Sequence, residues 1–198
     1  MKGVIPVGDN KEEVLRRWIN TVKTLPKQGT VEWLTGRKFR IGGSEVSVIE
    51  GSNHFQNVKD LVMGHLGITK FEGNAATNWG SILERVSEKL LQVLFDCELY
   101  IPGSILHPTV ECHANSADGV TYIRSWDALV LIEIKNPMSR VPGGTIPKCY
   151  KSQIRSGLST IPICDFALFV DMMQRKCALV DLEPHSRVYD TGYHNATR

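Results

Sequence analysis

The sequence has 198 residues, 42% hydrophobic, 22% charged and 8% aromatic, and 23 Lys and Arg against 21 Asp and Glu give a net charge of +2. That composition excludes a disordered chain, a collagen-like repeat, a disulfide miniprotein and a polybasic tail, and it suits one domain with a sizeable core. No apolar run approaches the roughly 20 residues that span a bilayer, the start carries no signal-peptide h-region, and five scattered cysteines form no C-x-x-C, so a reducing cytoplasmic or nuclear setting is expected.

The first third reads as helical. Residues 11–25 place Val14, Trp18, Ile19 and Val22 on one stripe, Pro26 and Gly29 close that element, and a second helix begins near Val31. Gly42-Gly43-Ser44-Glu45-Val46 reads as a turn entering a short helix with Ser44 as its cap. Residues 56–66 form a short amphipathic segment ended by Gly67. Residues 78–95 give the longest helix, with Ile82, Leu83, Val86, Leu90, Leu91 and Leu94 recurring at three and four residues. Beyond it the period becomes two, which predicts strands at 99–106, 109–113, 119–123, 128–135, 166–171 and 177–183. A Gly/Pro loop over 136–147 and a helix over 148–158 separate the fourth strand from the fifth. This order predicts an α/β fold, a central mixed sheet flanked by helices. It is read as a single domain over residues 1–198, helical to about 97 and sheet core from about 98 to 183.

The charges are uneven. Residues 11–40 hold eight basic and three acidic side chains, and residues 134–155 hold five basic and no acidic ones. A basic stretch is by itself a solvated surface as readily as a nucleic-acid contact.

The segment Ala128-Leu-Val-Leu-Ile-Glu133-Ile-Lys135 concentrates the chemistry. Alternation puts Leu129, Leu131, Glu133 and Lys135 on one face of the strand and Ala128, Val130, Ile132 and Ile134 on the other. A Glu and a Lys closing an apolar strand are costly to bury unless paired or bound to a metal. Upstream, Ser116-Ala117-Asp118-Gly119 sets an acid at a turn opening another strand, so adjacent strands would bring Asp118 and Glu133 together. Two such carboxylates make a hard oxygen site suited to Mg²⁺ or Mn²⁺, and with a lysine alongside they suit in-line attack on a phosphodiester. The same residues also fit an ion pair at a strand end and an Asp-Gly turn. Cys97, His107, Cys112 and His113 match no structural zinc spacing, and His54, His65 and His185 show no evident partners.

Further positions extend the pattern. Trp33-x3-Arg37-x3-Ile41-Gly-Gly-Ser44-Glu45-Val46, Trp79-Gly80-x3-Glu84, Ser116-x-Asp118-Gly119, Glu133-x-Lys135-x-Pro137 and Tyr150-x2-Gln153 follow in order. This set resembles lambda-type exonuclease, the YqaJ-like viral recombinase branch of the PD-(D/E)XK nucleases, from Trp33 to about Glu183. The resemblance implies that Asp118, Glu133 and the Ile134 carbonyl are metal ligands, that Glu84 holds a second metal, and that Lys135 orients or activates the attacking water. It implies that Gln153 helps position Lys135 and the water, and that Arg37 and Ser44 bind the 5′-terminal phosphate. Lys151 and Arg155, one helical turn apart, are then candidate backbone contacts to DNA. Taken singly, Glu84, Gln153 and Arg37 read as ordinary surface residues.

Three departures stand out. Ala117 replaces the family's Pro, Gly42-Gly43 replaces Thr-Ala and removes a hydroxyl near the terminal phosphate, and the sequence stops soon after its last strand. The implied activity is Mg²⁺-dependent digestion of linear double-stranded DNA from its ends, 5′→3′, with Mn²⁺ as the alternative metal and two metals per site. A viral or phage recombination role, a single-strand annealing partner and a homo-oligomeric ring come with the resemblance. An endonuclease, nicking or structure-specific, and a non-catalytic DNA-end-binding module are the alternatives.

Overall fold

A computed structural model of the chain describes residues 10–173 and 176–182, with side chains described to Met172. Helix α1 (Lys11–Val22) starts where the Asn10 side chain accepts the Glu12 N–H, and α2 (Val31–Arg37) starts at a Thr30 cap. Strand β1 (Ile41–Gly42), a 3₁₀ turn (Gly43–Glu45), α3 (Val46–Ile49), α4 (Val58–His65) and α5 (Ala75–Phe95) complete the helical part. Then come β2 (Ile105–Leu106), β3 (His113–Asn115), β4 (Gly119–Ile123), β5 (Ala128–Lys135), α6 (Lys148–Thr160), β6 (Phe166–Met173) and β7 (Lys176–Leu182). Glu183, given to the last strand from the sequence, and Cys177 and His185 lie outside the described side chains.

The main sheet has the order β4-β5-β6-β7. β4 and β5 are antiparallel, β5 and β6 are parallel across the α6 crossover, and β6 and β7 are antiparallel. Strand β5 is central and apolar because both of its faces are covered. Leu129 and Leu131 share a core with Leu15 and Val22 of α1, Ile154 of α6 and Phe169. Ala128, Val130, Ile132 and Ile134 form a second core with Leu91 of α5, Leu168 and Val170. The two clusters are the two parities of one strand, as the alternation predicts.

Two expectations are corrected. The strands expected at 99–106 and 109–113 shrink to β2 and β3, which join β1 in a separate small sheet of order β1-β3-β2. Pro102 and Pro108 interrupt the backbone donors there, and among the described residues Tyr100 alone bridges to the main sheet, at Val120. Helix α5 has the predicted period, but only part of its apolar stripe is covered: Leu91 is 2% exposed, whereas Ile82 is 71% and Val86 58% exposed. The helix docks along Leu91 and Ser87, where Ser87 Oγ donates to Asn136 Oδ1 at 2.7 Å. Periodicity locates a stripe but not the neighbour it faces.

Candidate active site

Strand pairing builds the centre of the site. Gly119 pairs with Ile132, so one further step of the antiparallel register sets Asp118 opposite Glu133. The Ile134 N–H donates to Asp118 Oδ2 at 2.6 Å and fixes the carboxylate at the strand end. Glu133 is 1% exposed and accepts a hydrogen bond from Lys135 Nζ. The ammonium also lies 5.3 Å from the ring centre of Tyr150 on α6. Leu99 packs onto Gly119 beside this corner, where a Cβ would meet Leu99 Cδ1 at 2.2 Å and force the leucine to shift.

The electrostatics follow from putting these groups under cover. Burial pushes the Glu133 carboxyl up, the Lys135 ammonium opposes that, and the Asp118 charge adds to it, leaving Glu133 at about 7. Burial likewise raises Asp118, against the pull of Lys135 and the Ile134 N–H. For Lys135, burial alone would lower the ammonium, but the charges of Glu133 and Asp118 outweigh it and the net shift is upward. Lys135 is therefore a fixed cation, not a neutral base, between two carboxyls that burial holds above their ordinary range. Glu84 on α5 is raised by burial and then by the Asp118 and Glu88 charges. Glu88, one turn on, is raised by burial and by Asp118. It is an acid of the same group that the sequence showed only as a neighbour of Glu84.

The strand ends hold another pair the sequence did not single out. Lys135 is in register with Asp171 of β6, and Asp171, 2% exposed, takes Arg140 from the 136–147 loop in a two-pronged contact, Nη2 to Oδ1 at 2.6 Å.

A narrow cleft opens beside this centre, lined by Arg37, Arg40, Gly42, Gly43, Ser44, Asn115, Ser116 and Gln153 among others. Arg37 stacks on Trp33 with 4.7 Å from its guanidinium carbon to the ring centre, and Trp33 Nε1 donates to Ser116 Oγ at 3.0 Å. This ties the arginine to the loop that presents Asp118. Ser44 is exposed on the 3₁₀ turn and is not its cap; Glu45 Oε2 accepts the Gly42 N–H at 2.7 Å instead. His65, left without a partner by the sequence, faces Glu45 Oε2 at 3.3 Å and the Lys38 carbonyl at 3.0 Å. A Cβ on Gly43 would lie 1.9 Å from Asn115 Oδ1, so the turn closes onto β3 only with glycine there. Gln153 stands in the wall of this cleft, while Tyr150, one turn earlier on α6, is the residue over Lys135. Lys151 and Arg155 are exposed on the same helix.

The donor set is all oxygen, with Asp118 and Glu133 at its centre and Glu84 across from them, which fits a hard divalent cation in kind. Among the described residues no three His, Cys, Asp or Glu side chains are gathered into one ready cage. The Lys135 ammonium compensates Glu133 directly.

Residues 32–160, well over half of the chain, match the YqaJ-like viral recombinase domain. The chain belongs to that family. The matched segment of this YqaJ-like chain carries every side chain placed above from Trp33 to Arg155, while α1 lies before it and β6 and β7 with Asp171 lie after it. Protein D345L of African swine fever virus (isolate Tick/Malawi/Lil 20-1/1983) is 27% identical over 195 residues, covering 85% of this chain and 56% of that protein. The chain thus spans about half the length of this curated relative. Two crystal structures share the fold. LHK-Exo in complex with dAMP superposes with a TM-score of 0.64 at 22% identity, covering 78% of this chain and 82% of the other. An alkaline exonuclease (LHK-Exo) from Laribacter hongkongensis gives 0.61 at 22% identity, covering 78% and 83%. The PD-(D/E)XK-type α/β architecture expected from the sequence is the architecture found. Among the described residues no helix is long and apolar enough to cross a membrane.

Proposed function

We propose that the chain is a divalent-metal-dependent deoxyribonuclease that digests linear double-stranded DNA from its 5′ ends. One observation carries the reading. A buried Glu133 is paired with Lys135 and set against Asp118, beside a cleft that holds Arg37, Ser44 and Gln153. An acidic pair for phosphodiester hydrolysis and a basic pocket for a terminal phosphate then belong to one surface. Asp118, Glu133 and the Ile134 carbonyl would hold Mg²⁺ or Mn²⁺, with Glu84 serving a second ion. When bound, such an ion lowers the pKa of a coordinated water and offsets charge on the attacking and leaving oxygens.

The chain's own groups do the rest. Arg37 and Ser44 seat the terminal phosphate. Lys135, held cationic by its two acids, orients Glu133 and offsets negative charge at the reacting phosphate. Exposed Lys151 and Arg155 contact the duplex backbone without regard to sequence. The name of the LHK-Exo structures and the viral recombinase family support the nuclease part of this reading. A linear duplex against a covalently closed circle tests it. The linear molecule is expected to disappear while the circle stays intact; nicking of the circle would make the enzyme an endonuclease.

The metal has a pH signature. Because Glu133 titrates near 7 in the fold and near 4.5 as a free side chain, the folded state holds its proton longer. Metal-free stability therefore falls as pH rises from about 4.5 to about 7. Below that upper value an incoming cation must displace the proton. Mg²⁺ is expected to raise the melting temperature more at pH 8 than at pH 6, as read by differential scanning fluorimetry. An equal or larger rise at pH 6 would remove Glu133 from the ligand set.

A further inference from the structure

We propose that Arg40 is a second phosphate-gripping side chain of the cleft, acting beside Arg37 on the terminal phosphate of the DNA. This rests on the reading of the cleft as the seat of that phosphate. Arg40 lines the same cleft as Arg37, Ser44 and Gln153 and is half-buried there. The two arginines stand differently. Arg37 faces Glu45 across 3.7 Å, so part of its charge is already met. Arg40 donates Nη1–H to the Gly36 carbonyl at 3.2 Å, which occupies one of its donors and none of its charge. Among the described residues no carboxylate is paired with Arg40.

Charge arithmetic gives this residue its function. With Arg37 alone, the Glu45 carboxylate would leave the cleft balanced and indifferent to the charge of what enters. A terminal phosphate monoester carries about −1.5 to −2 at pH 7, more than the single charge of an internal diester. The surplus cation that matches the difference is Arg40. The remaining lining groups, including the Ser44, Ser104 and Ser116 hydroxyls and the Asn115 and Gln153 amides, are neutral.

The test compares duplexes ending in 5′-phosphate or 5′-hydroxyl, using the wild type, Arg40→Ala, Arg40→Lys and Arg37→Ala. KM and kcat are measured in Mg²⁺, and duplex binding is measured by fluorescence anisotropy in EDTA. The preference, KM on 5′-hydroxyl ends divided by KM on 5′-phosphate ends, is expected to fall roughly tenfold or more in Arg40→Ala. Arg40→Lys, which keeps the charge but not the fork, should fall between, and the anisotropy preference should follow. Loss of the preference in Arg37→Ala with its full retention in Arg40→Ala would overturn the assignment and leave the cleft reading standing. A wild type that ignores the terminal phosphate in both assays would overturn the two together.

Discussion

Glu133→Gln is expected to lower the rate of duplex cleavage about 10³-fold or more, some 4 kcal/mol of transition-state stabilisation, while the fold and metal-free DNA binding persist. The amide keeps the shape of the side chain and can still accept from Lys135 Nζ, so little packing is lost around this residue of 1% exposure. It removes the anion that, with Asp118, makes the site attractive to a divalent cation. Folding stability should not drop with it, because burial already holds Glu133 near half-protonation at neutral pH. Single-turnover cleavage, melting temperature and anisotropy in EDTA separate these effects. A loss below tenfold would mean that the strand end at Glu133 is a structural ion pair.

Lys135→Met is expected to cost about 10²–10³-fold in the same assay and to move the residual activity to higher pH. The ammonium is the main charge opposing the upward push of burial on Glu133, so deleting it raises that carboxyl further above 7. More alkaline conditions are then needed to free Glu133 of its proton. Methionine retains most of the stem that packs toward Tyr150, so the loss reports charge, not a cavity. A residual pH profile unchanged from the wild type would place Lys135 outside the electrostatics of the site.

The parts of the molecule legible from sequence are those fixed by local periodicity. β4 and β5 fall where alternation places them, and the register of that one pair delivers Asp118 opposite Glu133. α5 is legible as a helix but not in orientation, since its docking line runs through Ser87, a polar residue that no hydrophobic pattern marks. The strands around Pro102 and Pro108 fail because proline removes ladder donors that alternation does not count. The cleft divides in the same way. Arg37, Ser44, Glu45 and Ser116 stand in motifs, whereas Arg40 and His65 acquire meaning only once α2, α4 and the turn after β1 meet. Arg140 and Asp171 are 31 residues apart and join only because β6 lies parallel to β5.

The fate of a linear duplex carrying a label at the 5′ end of one strand or at its 3′ end, incubated with Mg²⁺ or with EDTA, tests the proposed 5′→3′ digestion most directly. Metal-dependent early release of the 5′ label as mononucleotide is expected, while the 3′ label stays on long, shrinking strands. Early release of the 3′ label, internal fragments, or equal digestion in EDTA would contradict that activity.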